Sequence, residues 1–78
     1  MKSTFHTPTI GQQIKAELVI QGISVSDFAR SINCSRPNVH DIMKRSSIDC
    51  ELLMRISRVL HVNFFKRLSE QLDEEVAA

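Results

Sequence analysis

Residues 24–44 read SVSDFARSINCSRPNVHDIMK, and this stretch decides the fold. Its first half predicts a short helix, because apolar residues recur at i, i+3, i+4 and i+7 and therefore share one helical face. The residues of that face are Val25, Phe28, Ala29 and Ile32. Ser24 stands before the helix as an N-cap, and Asp27 three residues later resembles the acidic partner of a capping box.

The second half of the stretch predicts another short helix after a tight turn at residues 33–35. Asn33 stands where the end of a helix favours a residue that tolerates the left-handed conformation. Ser35 is a second N-cap candidate, and Pro37 takes the second helical position, where its missing N–H costs nothing. The buried stripe of this helix is Val39, Ile42 and Met43. Two helices this short must cross steeply to share one core, which is the helix-turn-helix geometry.

The flanking sequence predicts three further helices. Ile10, Ile14 and Leu18 space out a first helix over residues 9–21, which Gly22 ends. Asp49 caps a fourth helix and Asn63 a fifth. The apolar residues of these two helices are Leu52, Leu53, Ile56, Val59, Leu60, Phe64, Phe65, Leu68 and Leu72. We expect an all-α, five-helix domain over residues 9–72, with an N-terminal arm at 1–8 and a frayed, acidic C-terminal tail at 73–78.

Charge is distributed unevenly along the chain of 78 residues. All ten Lys and Arg fall in residues 1–69 together with five acids, whereas residues 70–78 carry four acids. A basic body with an acidic tail suits a polyanionic partner, although ordinary solvated charge explains the pattern equally well. No apolar run approaches the ~20 residues that cross a bilayer, and the start lacks the apolar stretch of an export signal. We therefore expect a cytoplasmic protein.

Catalysis and metal binding find little support in the sequence. The three His are isolated, and no nucleophile elbow or Gly-rich phosphate loop is present. Cys34 and Cys50 lack metal-ligand spacing, and in a reducing cytoplasm we expect them to be free thiols, with Cys34 filling a small buried site. A chain this short is also too small to enclose a substrate pocket of the usual size. We expect no enzyme activity, no cofactor and no metal.

Residues 10–68 resemble the Cro/phage-repressor type of helix-turn-helix family, also called the XRE type or lambda-repressor-like. The segments that carry the resemblance are IGQQI at 10–14, GISVSDFA at 22–29, NCSR at 33–36, Val39 with Ile42, and LLMRISRVLHV at 52–62. The loop lengths and the apolar positions agree together, which a generic helical bundle would not reproduce. The chain also departs from the family. Asn33 replaces the usual turn Gly, Val25 replaces a polar residue after the cap, and Leu18 with Met43 replaces a buried Arg–Glu pair.

The resemblance implies a five-helix DNA-binding domain. We expect it to act as a transcriptional regulator, a repressor, and to work as a homodimer on double-stranded DNA. Its third helix would read base edges through its outward residues, which are Arg36, Pro37, Asn38, His40 and Asp41. Phosphate contacts would come from Ser24, Ser35, Lys44 and Arg45, with Gln12 and Gln13 as further candidates. Arg36 could clamp a guanine and Asn38 an adenine.

Several alternatives stay open at this point. Asp41 either accepts a hydrogen bond from a cytosine amino group or is an exposed acid that pairs with Lys44 or Arg45. The residues Phe64, Phe65 and Leu68 indicate dimerisation through the fifth helix, or they pack in the core of a monomer. The alternative function is a protein-binding module, such as an antitoxin-like or mobile-element accessory factor, which the modest net charge and Asp41 favour.

Overall fold

The computed structural model describes residues 8–77, and all regular secondary structure in that range is helical. The helices are α1 (Ile10–Gln21), α2 (Val25–Ser31), α3 (Arg36–Met43), α4 (Cys50–Leu60) and α5 (Phe64–Ala77). The predicted all-α, five-helix architecture is thus confirmed. In that range the chain divides into two compact units, with the boundary between Ile48 and Asp49. None of the helices within residues 8–77 is both long and apolar enough to cross a membrane.

The first unit contains α1, α2 and α3, and α3 packs against both of the others. Its apolar core is made of Ile10, Ile14, Leu18, Phe28, Ala29, Ile32, Val39 and Ile42, all of them buried. These are the residues that the helical spacing placed on the inner faces, apart from Val25 and Met43, which are half-buried. Burial of each large side chain contributes about 1.5–3 kcal/mol relative to its exposure, so the core holds the three short helices together.

Side-chain caps set where the helices begin. The Ser24 hydroxyl accepts a hydrogen bond from the Asp27 amide at 3.1 Å, and the Ser35 hydroxyl accepts one from the Asn38 amide at 3.3 Å. The Asp49 and Asn63 side chains accept corresponding bonds at the starts of α4 and α5. All four predicted caps are therefore confirmed. At the helix ends, Gly22, Asn33 and His61 take left-handed conformations with φ of 69°, 59° and 57°.

The beginning of α1 is joined to the end of α3 through Gly11. The Gly11 amide donates a hydrogen bond to the carbonyl oxygen of Arg45 at 3.0 Å. A Cβ atom at Gly11 would lie 2.6 Å from the carbonyl oxygens of Ile42 and Met43 and 2.7 Å from that of Arg45. Only a residue without a side chain allows the two backbones to approach this closely.

One charged side chain of α1 is buried. Glu17 is 7% exposed, and the Gln21 Nε2 group donates a hydrogen bond to its Oε2 atom at 2.8 Å. A buried ionic pair was expected to be replaced at positions 18 and 43, where Leu18 is buried and Met43 half-buried. Glu17 lies on the face of α1 that carries Ile14 and Leu18, and its burial was missed because an acidic side chain is seldom buried.

The second unit contains α4 and α5, which pack on each other. Leu53, Ile56, Leu60 and Phe64 are buried, whereas Leu52 and Val59 are half-buried. The expected fraying after residue 72 is not observed, because α5 continues to Ala77. Residues 73–77 contain no Gly or Pro, and Glu and Ala are strong helix formers, so nothing in this segment ends the helix.

Candidate nucleic-acid interface

The side of α3 opposite the core is polar and open to solvent. Val39 and Ile42 are buried on its inner side. The five residues predicted to approach base edges are all exposed, namely Arg36, Pro37, Asn38, His40 and Asp41. With 3.6 residues per turn, Pro37 and Asp41 lie opposite the buried pair, and Arg36 and Asn38 flank them on either side. The structure therefore brings the predicted base-reading residues together on the exposed side of one helix.

The turn before α3 is restrained by hydrogen bonds. The Cys34 amide donates to the carbonyl oxygen of Ala29 at 2.8 Å, and the Asn33 amide donates to that of Arg30 at 3.2 Å. Asn33 has φ of 59°, so the left-handed position predicted for the turn is confirmed. Cys34 is half-buried. The start of α3 is thus held in place by α2, as a helix that reads a groove requires.

Ser24 and Ser35 lie at the exposed starts of α2 and α3. Each hydroxyl oxygen accepts a backbone hydrogen bond, and its own proton remains able to donate to a further acceptor. The unpaired N–H groups of a helix N-terminus, together with its partial positive charge, attract phosphate. The two caps therefore carry the donor chemistry that a phosphate contact needs.

Lys44 and Arg45 follow the last turn of α3, and both are exposed. The Arg45 guanidinium forms an ion pair with Asp41, with 3.0 Å between Nη2 and Oδ2. Lys44 and Arg45 were both possible partners for Asp41, and the structure shows that Arg45 is the partner. Because both side chains are largely exposed, the pair contributes only about 0.3–0.5 kcal/mol. Its effect is to offset the negative charge of Asp41 on the outward face of α3.

Gln12 and Gln13 stabilise the start of α1. The Gln12 side chain accepts a hydrogen bond from the Thr9 amide at 2.9 Å, while the Thr9 hydroxyl accepts one from the Gln12 amide. The Gln13 Nε2 group donates to the carbonyl oxygen of Pro8 at 3.2 Å. This capping box was not predicted, although Thr9 and Gln12 show the characteristic spacing. Any phosphate contact by these two residues comes in addition to that structural role.

A shallow concavity of about 490 Å³ lies between α2 and the start of α3. Its lining residues are Ser26, Ala29, Arg30, Asn33, Cys34 and Arg36. Arg30 was not among the predicted site residues, and it pairs with Asp27 at 3.5 Å across an exposed turn of α2. Arg30 and Arg36 therefore line the same concavity. Within the described residues no group of three or more His, Cys, Asp or Glu side chains could hold a metal ion.

The residues predicted for dimerisation differ in their exposure. Phe64 is fully buried, Phe65 is 37% exposed, and Leu68 is half-buried. Phe64 therefore serves the core of its own chain and is not on a surface that a partner could reach. Leu72 and Val76 are 57% and 75% exposed farther along α5.

Comparison with known proteins bears on this arrangement. No family model matches the chain, and no curated protein sequence matches it either. Among solved structures, the chain is similar to the master regulator for biofilm formation SinR, in a crystal structure of its complex with DNA. The match has a TM-score of 0.63 and 26% sequence identity, and it covers 70% of this chain and 90% of that chain. The fold thus matches that of a DNA-binding transcription regulator, and the chain forms an XRE-like helix-turn-helix domain.

Proposed function

We propose that this protein is a sequence-specific DNA-binding transcriptional regulator that acts as a repressor in the cytoplasm and reads the major groove with α3. The observation that carries the proposal is the exposed polar face of α3, backed by buried Val39 and Ile42, in a fold that resembles SinR bound to DNA. A helix held by its apolar side and exposed on its polar side is the arrangement that helix-turn-helix proteins use for base readout.

Base recognition falls to the side chains at the start of α3. The Arg36 guanidinium can donate two hydrogen bonds to O6 and N7 of a guanine, and the Asn38 amide matches N6 and N7 of an adenine. Pro37 offers an apolar contact that suits the methyl group of a thymine. His40 and Asp41 lie one turn farther along the same face, and Asp41 can accept a hydrogen bond from a cytosine amino group if it leaves Arg45.

Affinity comes mainly from phosphate contacts. We assign these to Ser24 and Ser35 at the helix starts and to Lys44 and Arg45 after α3, with Gln12 and Gln13 in support. Each phosphate that is neutralised releases counterions, so binding should fall steeply with salt concentration. Four acids of the chain fall in residues 70–78, which leaves the segments that carry these contacts with the basic character that DNA binding requires.

We further propose that two copies bind a two-fold operator. Two helix-turn-helix modules on one duplex place their reading helices in successive major grooves, roughly 34 Å apart. The pair would then repress transcription by occluding a promoter.

The test is selection from a pool of random duplexes by the purified protein, followed by sequencing of the bound fraction and a salt titration. We expect enrichment of a two-fold motif. Arg36→Ala should weaken binding to the enriched motif about 10-fold to 100-fold while leaving the weak binding to unrelated duplexes in place. Arg55→Ala is the matched control, because Arg55 is an exposed arginine on α4 that the proposal does not use.

Weak binding without any motif, lost near physiological salt, would overturn the proposal of sequence-specific recognition. That result would favour the alternative function, a protein-binding module of the antitoxin-like or mobile-element accessory kind. Equal effects of Arg36→Ala and Arg55→Ala would likewise count against readout by α3.

A further inference from the structure

Helix α5 has two different apolar faces. One face carries Phe64, which is fully buried, and half-buried Leu68. The other carries Phe65, Leu72 and Val76, which are 37%, 57% and 75% exposed. On a helix with 3.6 residues per turn these three side chains fall within a narrow stripe, displaced from the packed face. The described chain leaves this stripe open along nearly the whole length of α5.

The spacing of the stripe is that of a seam between two helices. Ser69 lies on the same line, so the stripe consists of positions 65, 69, 72 and 76, separated by four, three and four residues. This alternation is the pattern by which a helix packs along the length of another helix. Ser69 is small, which leaves room for a large side chain from the facing helix. We call positions 65, 69, 72 and 76 the α5 seam.

The charges of α5 are separated in the unfavourable direction. Lys66 and Arg67 lie in the first turn, whereas Asp73, Glu74 and Glu75 lie in the last turns. A helix N-terminus favours acids and a C-terminus favours bases, so this distribution opposes the helix macrodipole at both ends. An isolated helix of this length is marginal in water. The arrangement becomes favourable when a second helix brings the opposite charges to each end.

We propose that the α5 seam pairs with the α5 seam of a second copy in an antiparallel arrangement. This inference rests on the homodimer of the proposed function and specifies its surface, direction and register. Phe65 would face the partner's Val76, and Ser69 would face the partner's Leu72. Lys66 then lies beside the partner's Asp73, once at each end of the two-fold pair. A parallel pair would instead bring the acidic ends of the two helices together.

The seam is short, and this limits the strength of the dimer. A helix of 14 residues is about 21 Å long, so a pair of such helices buries less surface than a standard protein interface. We therefore expect a dissociation constant between about one micromolar and one millimolar. Because opposite charges flank the seam, added salt should weaken the dimer further.

The experiment is sedimentation equilibrium of the full chain, without DNA, at low and moderate salt. Asp73→Lys should weaken the dimer at least tenfold, because it places Lys beside the partner's Lys66. Lys66→Glu should do the same, and the double variant Lys66→Glu/Asp73→Lys should recover affinity to within about threefold of the wild type. Glu74→Lys is the control, since it makes the same charge change on the side of α5 opposite the seam. Circular dichroism of each variant establishes that α5 is intact.

Three results would overturn the inference. The first is a chain that stays monomeric at millimolar concentration, and the second is a dimer that tolerates Leu72→Asp. The third is the absence of recovery in the double variant, which would exclude the antiparallel register. These outcomes are separable from failure of the proposed function. A monomer that still enriches a DNA motif refutes only the seam, whereas a dimer of the stated register that enriches no motif refutes only the DNA readout.

Discussion

The outward faces of α3 and α5 differ in what they offer to a partner. Helix α3 exposes hydrogen-bonding groups, and it is capped at its start by Ser35 and bonded to Gly11 just beyond its end. Helix α5 exposes an apolar seam, and Phe64 is its buried residue. A helix face that reads DNA must keep its shape when DNA is absent. A helix with an exposed apolar seam instead gains order when a partner covers the seam. We therefore expect the two helices to serve different kinds of recognition.

The largest expected effect is on the stability of the first unit, which contains α3, and does not involve the α5 seam. Gly11→Ala should destabilise residues 8–48 by about 3 kcal/mol, the upper end of the usual cost of overpacking, because the new Cβ meets three backbone carbonyls that cannot easily move. Urea denaturation measures this change. The matched control is Gly22→Ala, which has no atom within 4 Å of the new Cβ and pays only for its φ of 69°, about 1–2 kcal/mol. Equal losses in the two variants would show that the close approach at Gly11 is unimportant.

Removing the N-cap of α3 and, separately, that of α5 tests whether the two helices have different partners. Ser35→Ala and Asn63→Ala each remove a side chain that accepts an amide hydrogen bond, so each should cost about 1 kcal/mol of stability in thermal denaturation. Their binding effects should diverge. Ser35→Ala should weaken DNA binding and leave the dimer intact, whereas Asn63→Ala should weaken the dimer in sedimentation. A variant that weakens both to the same extent would contradict the assignment of separate tasks.

A smaller effect is expected from Lys44→Ala. We expect weaker binding to every duplex, because Lys44 is assigned to a phosphate, and the slope of log affinity against log salt should decrease by about one. Filter binding at four or five salt concentrations measures the slope. Lys15→Ala, an exposed lysine on α1, is the control and should leave the slope unchanged. A change in motif preference for Lys44→Ala would instead assign it to base readout.

The smallest effect belongs to Asp41→Asn. This change breaks the exposed ion pair with Arg45 and should cost no more than about 0.5 kcal/mol of stability. Because it removes a negative charge from the outward face of α3, binding to unrelated duplexes should become about twofold tighter. Competition titration with unlabelled DNA measures this difference. Weaker binding to the selected motif alone would show that Asp41 accepts a hydrogen bond from a base.

Features that depend on neighbours in the sequence were predictable. The Ser24, Ser35, Asp49 and Asn63 caps each act over three residues, so their spacing alone indicates them. The left-handed conformation of Asn33 belongs to the same class, and so does the exposure of the outward face of α3, which follows from helical periodicity.

Features that depend on tertiary packing were not predictable. The approach of Gly11 to the end of α3 joins residues that are distant in the sequence, and no local pattern indicates it. The burial of Glu17 likewise depends on what packs over α1. The apolar residues of the fifth helix were predicted only as far as Leu72, because the ends of chains commonly fray, although Val76 continues the exposed stripe.

The bond between Gly11 and Arg45 also has a kinetic consequence. It spans almost the whole first unit, whereas the caps close single turns. The Gly11 amide can exchange its proton with solvent only when the start of α1 separates from the end of α3. Its hydrogen-exchange rate therefore reports, at one residue, how often the first unit opens.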